Sequence, residues 1–204
     1  QYVQNLIVDM DGVLWRGAKP LPGLADFFAF LRRKPINFVL ATNNASKTIT
    51  HYIQRLEGGG IEITPQEIIT SAQATAEYLA EQTEPGTPIY VIGMTGLRQP
   101  LMEHGFRLLD DHKEPGHARY VVVGWDRNLT YTKLTAAALH IRAGATFIGT
   151  NPDPTWPSER GQAPGTGATL AALQTATKVE PTVIGKPSPL MFQIAMGRMR
   201  ADAS

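Results

Sequence analysis

The stretch that most constrains the fold is a short apolar run at 6–8, followed by Asp9, Asp11 and Gly12. The run is rich in β-branched residues and predicts a short buried strand. Because alternate side chains of a strand share a side, Asp9 and Asp11 can reach one site at the strand's carboxyl end, where open α/β sheets bind ligands. Two adjacent carboxylates repel each other, which predicts a bound cation, Mg²⁺ for oxygen ligands of this kind. The alternative is an ordinary Asp-Gly turn with solvated carboxylates.

Composition describes a globular chain and excludes several kinds of chemistry. The sequence has 204 residues, 43% of them hydrophobic, enough for one large domain or two small ones. A net charge of +1 without a basic run argues against nucleic acid and anionic membranes as partners. The absence of cysteine excludes disulfides, thiolate catalysis and Cys-ligated zinc, and it fits a reducing compartment. We therefore expect a cytoplasmic protein with no membrane span and no signal peptide.

A second polar cluster, Thr42-Asn43-Asn44, follows the apolar segment 36–41 and precedes a predicted helix. Side-chain donors and free helix N–H groups would meet at this strand end, and together they form an anion site. The alternative is an ordinary helix N-cap. Strands and helices alternate up to residue 71, which predicts a parallel sheet with right-handed crossovers.

A second α/β series follows the Pro- and Gly-containing break at 83–88. Predicted strands lie at 89–93, 120–124, 146–149 and 182–184, and predicted helices at 94–104, 131–143, 168–177 and 190–199. The segment 151–167 is too long for a simple connector, which indicates a functional loop. In the first series, the helix predicted at 24–33 is expected to bury Phe27, Phe28, Phe30 and Leu31.

Three ordered motifs, at 9–15 (DMDGVLW), 42–44 (TNN) and 185–187 (GKP), resemble the haloacid dehalogenase (HAD) superfamily of phosphatases. The stretches at 149–153 (GTNPD) and 164–168 (PGTGA) look like its NagD and 4-nitrophenylphosphatase branch. This resemblance implies an α/β fold: a Rossmann-like core with a parallel sheet, and an inserted type-2 α/β cap domain. The implied division is 1–71 and 181–204 for the core and 72–180 for the cap.

The resemblance also implies a role for each motif residue. Asp9 would attack phosphorus and form an aspartyl-phosphate, and Asp11 would act as general acid and then general base. The Asp9 carboxylate and the Asp11 main-chain carbonyl would hold Mg²⁺. Phosphate contacts would come from Thr42, Asn43, Asn44 and the cationic Lys186. Taken alone, a lysine between glycine and proline is also typical of a solvated loop.

The cap would select the substrate, which the family implies is a small phosphorylated metabolite. Asn151 and Asp153 match the cap stretch that reaches over the active site, and Trp125 and Asp126 are further candidates at a strand end. The alternative for all four is ordinary loop structure.

One part of the family pattern is absent from this sequence. A fourth acidic motif, which supplies the remaining metal ligands, should follow the helix after Lys186, but the sequence ends at Ser204. Asp202 lacks the preceding glycine and is not assigned that role. We therefore expect either a fragment of a longer enzyme or a second chain, such as another copy in a homo-oligomer, that completes the core. The strand bearing Asp9 would then lie at an exposed sheet edge.

The leading function is Mg²⁺-dependent hydrolysis of a phosphomonoester. The alternatives are a non-catalytic phosphate-binding or interaction module and an inactive fragment, both suggested by the absent acidic motif. A dehalogenase is a third reading, disfavoured because a dehalogenase does not need Asp11.

Overall fold

A computed structural model describes residues 3–17, 19–109, 117–158 and 160–201. The first half contains β1 (Asn5–Asp9), β2 (Trp15–Arg16), β3 (Lys19–Pro20), α1 (Leu24–Arg33), β4 (Asn37–Thr42), α2 (Ile49–Glu57), β5 (Ile68–Thr70) and α3 (Ser71–Ala80). The second half contains β6 (Pro88–Ile92), α4 (Thr95–Glu103), β7 (Arg107–Leu109), β8 (Tyr120–Val123), α5 (Tyr131–Arg142), β9 (Thr146–Gly149), β10 (Thr155–Ser158), β11 (Gly161–Pro164), α6 (Thr166–Thr177), β12 (Thr182–Val183) and α7 (Pro189–Met199).

The first sheet is parallel and has the order β1-β4-β5. Its register pairs Asp9 with Ala41 and Thr42 with Thr70, so the carboxyl ends of the three strands lie at one edge. In the described part of the chain, β1 is an edge strand, as expected, and its apolar residues 6–8 are half-buried. The predicted α/β architecture with a parallel sheet is confirmed.

The second sheet is also parallel and has the order β12-β9-β8-β6-β7. In chain order β6 is the first strand of this sheet, and it lies between the next two, β7 and β8, so the chain runs first to one side of β6 and then continues on the other. The last strand, β12, belongs to this sheet although residues 181–204 are predicted to belong to the core. The division into core and cap stays a prediction. The pairing of β12 with β9 joins a segment assigned to the core to a sheet assigned to the cap.

A shared apolar core connects the two sheets. One buried cluster includes residues of β4, β5, α3, α4, β8, β9 and α7, and Ala72, Leu97 and Met191 in it are fully buried. Helix α3 packs against both α4 and α7. The two units are therefore held together by apolar packing as well as by polar contacts.

Two predictions about local structure were wrong. In α1, Phe28 and Leu31 are buried, whereas Phe27 and Phe30 are partly exposed, because the helical period places Phe28 and Leu31 on the inner face and the other two beside it. The predicted loop 151–167 instead contains the antiparallel hairpin β10–β11 and the first two residues of α6. Across the described residues, no helix has the length and apolar character needed to cross a bilayer.

Candidate active site

Asp9 is the last residue of β1, and Asp11 follows it in a sharp turn of the chain. Gly12 adopts a φ of +87°, which a glycine tolerates without strain, and its N–H donates to the Trp15 carbonyl at 2.9 Å. The Met10 side chain between the aspartates is fully buried and anchors the turn in the core. Both carboxylates are thereby placed at the carboxyl edge of the first sheet.

The Asp11 carboxylate is held through both of its oxygens. Oδ1 accepts from the Trp15 indole N–H at 2.8 Å, and Oδ2 accepts from the Thr42 hydroxyl at 3.1 Å. Trp15 stacks on the ring of Tyr52 with centroids 6.3 Å apart, which fixes the indole. The positioning contact from Trp15 was not predicted, because the sequence shows only that a tryptophan ends the motif.

The 42–44 segment makes local contacts that shape the strand end. Thr42 is buried, and its oxygen accepts from the Asn44 N–H at 3.0 Å. The Asn44 side-chain oxygen accepts from the N–H and hydroxyl of Ser46, so this side chain closes a turn. Burial and the nearby Asp11 charge raise the pKa of Tyr52, which keeps its hydroxyl neutral while it donates to the Asn44 carbonyl at 3.4 Å.

Lys186 reaches the same edge from a distant part of the chain. Its ammonium forms an ion pair with Asp9 Oδ1 and donates to the Ala41 carbonyl at 3.0 Å. The preceding Gly185 donates its N–H to the Thr150 carbonyl at 2.9 Å, so the loop lies against the end of β9. Lys186 is therefore a contact residue of Asp9 rather than a solvated loop lysine.

Asn43 connects the Lys186 loop to the loop after β9. Its side-chain N–H₂ donates to the Lys186 carbonyl at 2.9 Å and to Asp153 Oδ2 at 3.2 Å. Its main-chain carbonyl accepts from Asn151 Nδ2 at 2.9 Å and from the Ser71 hydroxyl at 2.8 Å. Asn151 and Asp153 thus lie beside the group formed by Asp9, Asp11, Thr42 and Lys186, called the Asp9 cluster below. Ser71 is the first residue of α3, and its contact with Asn43 was not predicted.

The other two candidates from the second unit contact different residues. Asp126 is an ion-pair partner of Lys133, with 2.6 Å between its Oδ2 and Lys133 Nζ. Trp125 packs edge-on against Trp156 of the hairpin, with ring centroids 5.1 Å apart.

The oxygen atoms at this edge fit the donor set of a magnesium ion. In the ranges that the structure covers, no group of three or more His, Cys, Asp or Glu side chains could hold a metal by itself. Mg²⁺, however, is commonly bound through one or two carboxylates, with phosphate oxygens and water filling the other positions. The Asp9 side chain is 45% exposed, so one of its oxygens can serve. Asp202, the last acidic residue of the sequence, lies outside the described residues.

Comparison with known proteins assigns the chain to a family. A family model described as haloacid dehalogenase-like hydrolase matches residues 6–107. An acid sugar phosphatase of Staphylococcus aureus (strain USA300) is 39% identical over 198 residues, which cover 97% of this chain and 74% of the relative.

Solved structures give the same assignment. A p-nitrophenyl phosphatase from Archaeoglobus fulgidus has a TM-score of 0.91 and 30% identity, covering 98% of this chain and 75% of that one. A glycerol phosphate phosphatase from Mycobacterium tuberculosis was solved in complex with magnesium. It has a TM-score of 0.89 and 34% identity, and the match covers 98% of this chain and 60% of that one. The chain belongs to the haloacid dehalogenase-like hydrolases. The predicted family and the predicted class of enzyme, a hydrolase of the phosphatase type, are thereby confirmed.

Proposed function

We propose that the chain hydrolyses a small phosphomonoester through an aspartyl-phosphate on Asp9, with Mg²⁺ as cofactor. The observation that carries this proposal is the contact of Lys186 with Asp9 beside an Asp11 carboxylate held by Trp15 and Thr42. A carboxylate nucleophile, a second carboxyl group and a cation at one sheet edge are the parts that stepwise phosphoryl transfer needs.

In the first step, a carboxylate oxygen of Asp9 bonds to phosphorus as the bond to the leaving oxygen breaks. Asp11 donates its proton to that leaving oxygen, and it later removes a proton from the water that releases phosphate from Asp9. We assign the stabilisation of the negative phosphoryl oxygens to Lys186, whereas the Thr42 hydroxyl donates its single proton to Asp11 and holds that carboxylate in place. Mg²⁺, held by the Asp9 carboxylate and the Asp11 carbonyl, would neutralise charge on the transferring group.

The substrate proposal follows from the relatives and from the loop after β9. The relatives are named acid sugar phosphatase, p-nitrophenyl phosphatase and glycerol phosphate phosphatase, and these names point to small phosphomonoesters as substrates. Asn151 and Asp153 contact Asn43 beside Lys186, so we assign them to the side of the site that meets the leaving group. A cytoplasmic location and a homo-oligomeric state stay predictions.

Hydrolysis of 4-nitrophenyl phosphate with and without Mg²⁺ tests the proposal. We expect Mg²⁺-dependent release of 4-nitrophenol that falls at least about 10³-fold in Asp9→Asn, because the nucleophile is lost. Asp26 is an exposed carboxylate at the start of α1, and Asp26→Asn is the matched control, which should keep full activity. A folded chain without turnover would instead favour the non-catalytic phosphate-binding module.

Replacement of Thr42 tests the hold on Asp11. Thr42→Val removes the hydroxyl that donates to Asp11 Oδ2 and accepts from Asn44, and we expect kcat to fall about 10–100-fold, as for loss of a hydrogen bond to a charged group. Thr42→Ser keeps the hydroxyl and should retain most of the activity. Equal kcat values for the valine and serine variants would contradict this role.

A further inference from the structure

Arg55 lies on α2, outside the Asp9 cluster, and contacts the segment that follows Asp11 in the chain. Its Cζ atom lies 3.9 Å from the centre of the Trp15 ring, and its Nη2 donates to the Gly17 carbonyl. Among aromatic side chains, tryptophan binds a cation over its ring face most strongly. Arg55 therefore holds both the indole of Trp15 and the main chain two residues later.

Two residues of α2 contact the same indole. Tyr52 and Arg55 are three positions apart, so they lie on one face of the helix. The plane of the Tyr52 ring is within 6° of the indole plane, and Trp15 and Tyr52 are each 2% exposed, whereas Arg55 is half-buried. The indole is thus restrained both by an aromatic stack and by a cation–π contact.

The main chain that carries Trp15 belongs to a very small β element. The antiparallel strands β2 and β3 have two residues each, and Gly17 follows β2 in the turn. An isolated pair of strands is only marginally stable in water, so this element depends on contacts with its neighbours. The bond from Arg55 to the Gly17 carbonyl provides one such contact, because it ties the strand pair to α2.

The indole that Arg55 holds is itself a partner of Asp11. The Trp15 N–H donates to Asp11 Oδ1 at 2.8 Å. This N–H lies at the edge of the indole ring, so a tilt of the ring would lengthen the bond and release the carboxylate on that side. The contacts therefore run from Arg55 through Trp15 to Asp11.

We propose that Arg55 is a positioning residue for Asp11, whose carboxylate it orients through the Trp15 indole. This inference rests on the proposed function, in which Asp11 exchanges protons with the leaving oxygen and with water. Such a group must lie within hydrogen-bond reach of the reacting oxygen, and a displacement of about 1 Å can cost about 10²-fold in rate. Because Arg55 acts on the orientation of Asp11 and not on phosphate binding, its loss should lower kcat and change KM little.

Replacing Arg55 with methionine separates the charge of the side chain from its packing. Arg55→Met keeps an unbranched apolar stem but loses the cation and the donor to the Gly17 carbonyl. We expect kcat for 4-nitrophenyl phosphate to fall about 10–100-fold, with KM within about twofold of the wild-type value. Arg55→Lys should recover most of the lost kcat, because an ammonium also binds the face of an indole. Arg33 is exposed in the last turn of α1, and Arg33→Met is the matched control, which should keep the wild-type kcat.

A double variant tests whether Arg55 acts through Trp15. Trp15→Phe removes the N–H that donates to Asp11 but keeps an aromatic ring, and we expect kcat to fall about as far as in Arg55→Met. Adding Arg55→Met to Trp15→Phe should then lower kcat by less than about a further twofold, because the two residues act on Asp11 in series. If the two losses multiplied, Arg55 would not act through the indole, and the proposal would be overturned.

The indole N–H signals in a ¹H–¹⁵N spectrum provide a measurement that needs no turnover and that also shows whether each variant is folded. The sequence has three tryptophans, Trp15, Trp125 and Trp156, and Trp15→Phe assigns the Trp15 signal by its loss. Arg55→Met should speed the exchange of the Trp15 indole proton with water, because its bond to Asp11 loosens, and should leave the other two indole protons unchanged.

The two measurements together distinguish the possible failures. A folded wild-type chain without turnover would contradict the proposed function, and with it the catalytic consequence of losing Arg55. In an active chain, an unchanged exchange rate of the Trp15 indole proton in Arg55→Met would contradict this inference alone. Equal kcat values for Arg55→Met and Arg33→Met would also overturn it.

Discussion

Replacing Lys186 with alanine should lower kcat for 4-nitrophenyl phosphate about 10²–10³-fold, the usual effect of removing one preorganised electrostatic partner. The ammonium contacts Asp9 and the Ala41 carbonyl, so its loss removes both the cation beside the nucleophile and the cationic partner of the phosphoryl group. Lys186→Arg should recover only part of the activity, because a planar guanidinium does not reproduce the compact charge of an ammonium.

The same variant separates catalysis from stability. Asp9 and Lys186 are 45% and 21% exposed, so their ion pair should contribute less than about 1 kcal/mol to the free energy of unfolding. We therefore expect a large loss of kcat with a small change in the urea midpoint. Lys178 is an exposed lysine, and Lys178→Ala is the matched control for both kcat and the urea midpoint. If Lys186→Ala retained the wild-type kcat, Lys186 would have no role as the phosphoryl clamp.

Replacing Gly185 with alanine should reduce both stability and activity. A Cβ at this position would overlap the Thr150 carbonyl oxygen and lie 2.7 Å from Asn43 Oδ1, so the loop that carries Lys186 must move away from β9. Overpacking of this kind costs about 1–3 kcal/mol. We expect that loss in urea unfolding, together with a fall in kcat of at least about tenfold, as the ammonium leaves its position near Asp9.

Gly197→Ala provides a control with the same chemical change. Gly197 lies within α7, and a Cβ there would meet no atom within 4 Å. Alanine should stabilise the helix by up to about 1 kcal/mol and leave kcat unchanged. If Gly185→Ala behaved like Gly197→Ala, the close approach of the Lys186 loop to β9 would not matter for the site.

Sequence reasoning located the elements well where local signals are strong. The helix predicted at 24–33 has those bounds, and the strand predicted at 146–149 does too. It failed where neighbours in space decide the outcome. Phe27 and Phe30 are as apolar as Phe28, yet only Phe28 faces the core. The hairpin β10–β11 forms within a Pro-rich segment whose composition indicates a loop.

At the candidate active site, too, the sequence does not predict contacts that depend on neighbours in space. The spacing of Asp9 and Asp11 predicts that they share one side of a strand, but β1 ends at Asp9, so the position of Asp11 is set by the turn that follows and not by strand alternation. Trp15 could not be recognised as a partner of Asp11, nor Asn43 as the link between Lys186 and Asp153, since those contacts depend on how loops fold back.

By itself, the sequence determined the α/β class, the positions of most strands and helices, and the three motifs that resemble the haloacid dehalogenase phosphatases. These features depend on residue spacing and periodicity, which act over a few residues. Only the tertiary structure brought Lys186 to Asp9, 177 residues apart in the chain, and joined β12 to the second sheet. Such contacts are decided by the packing of the two sheets against a shared apolar cluster, which no local pattern records.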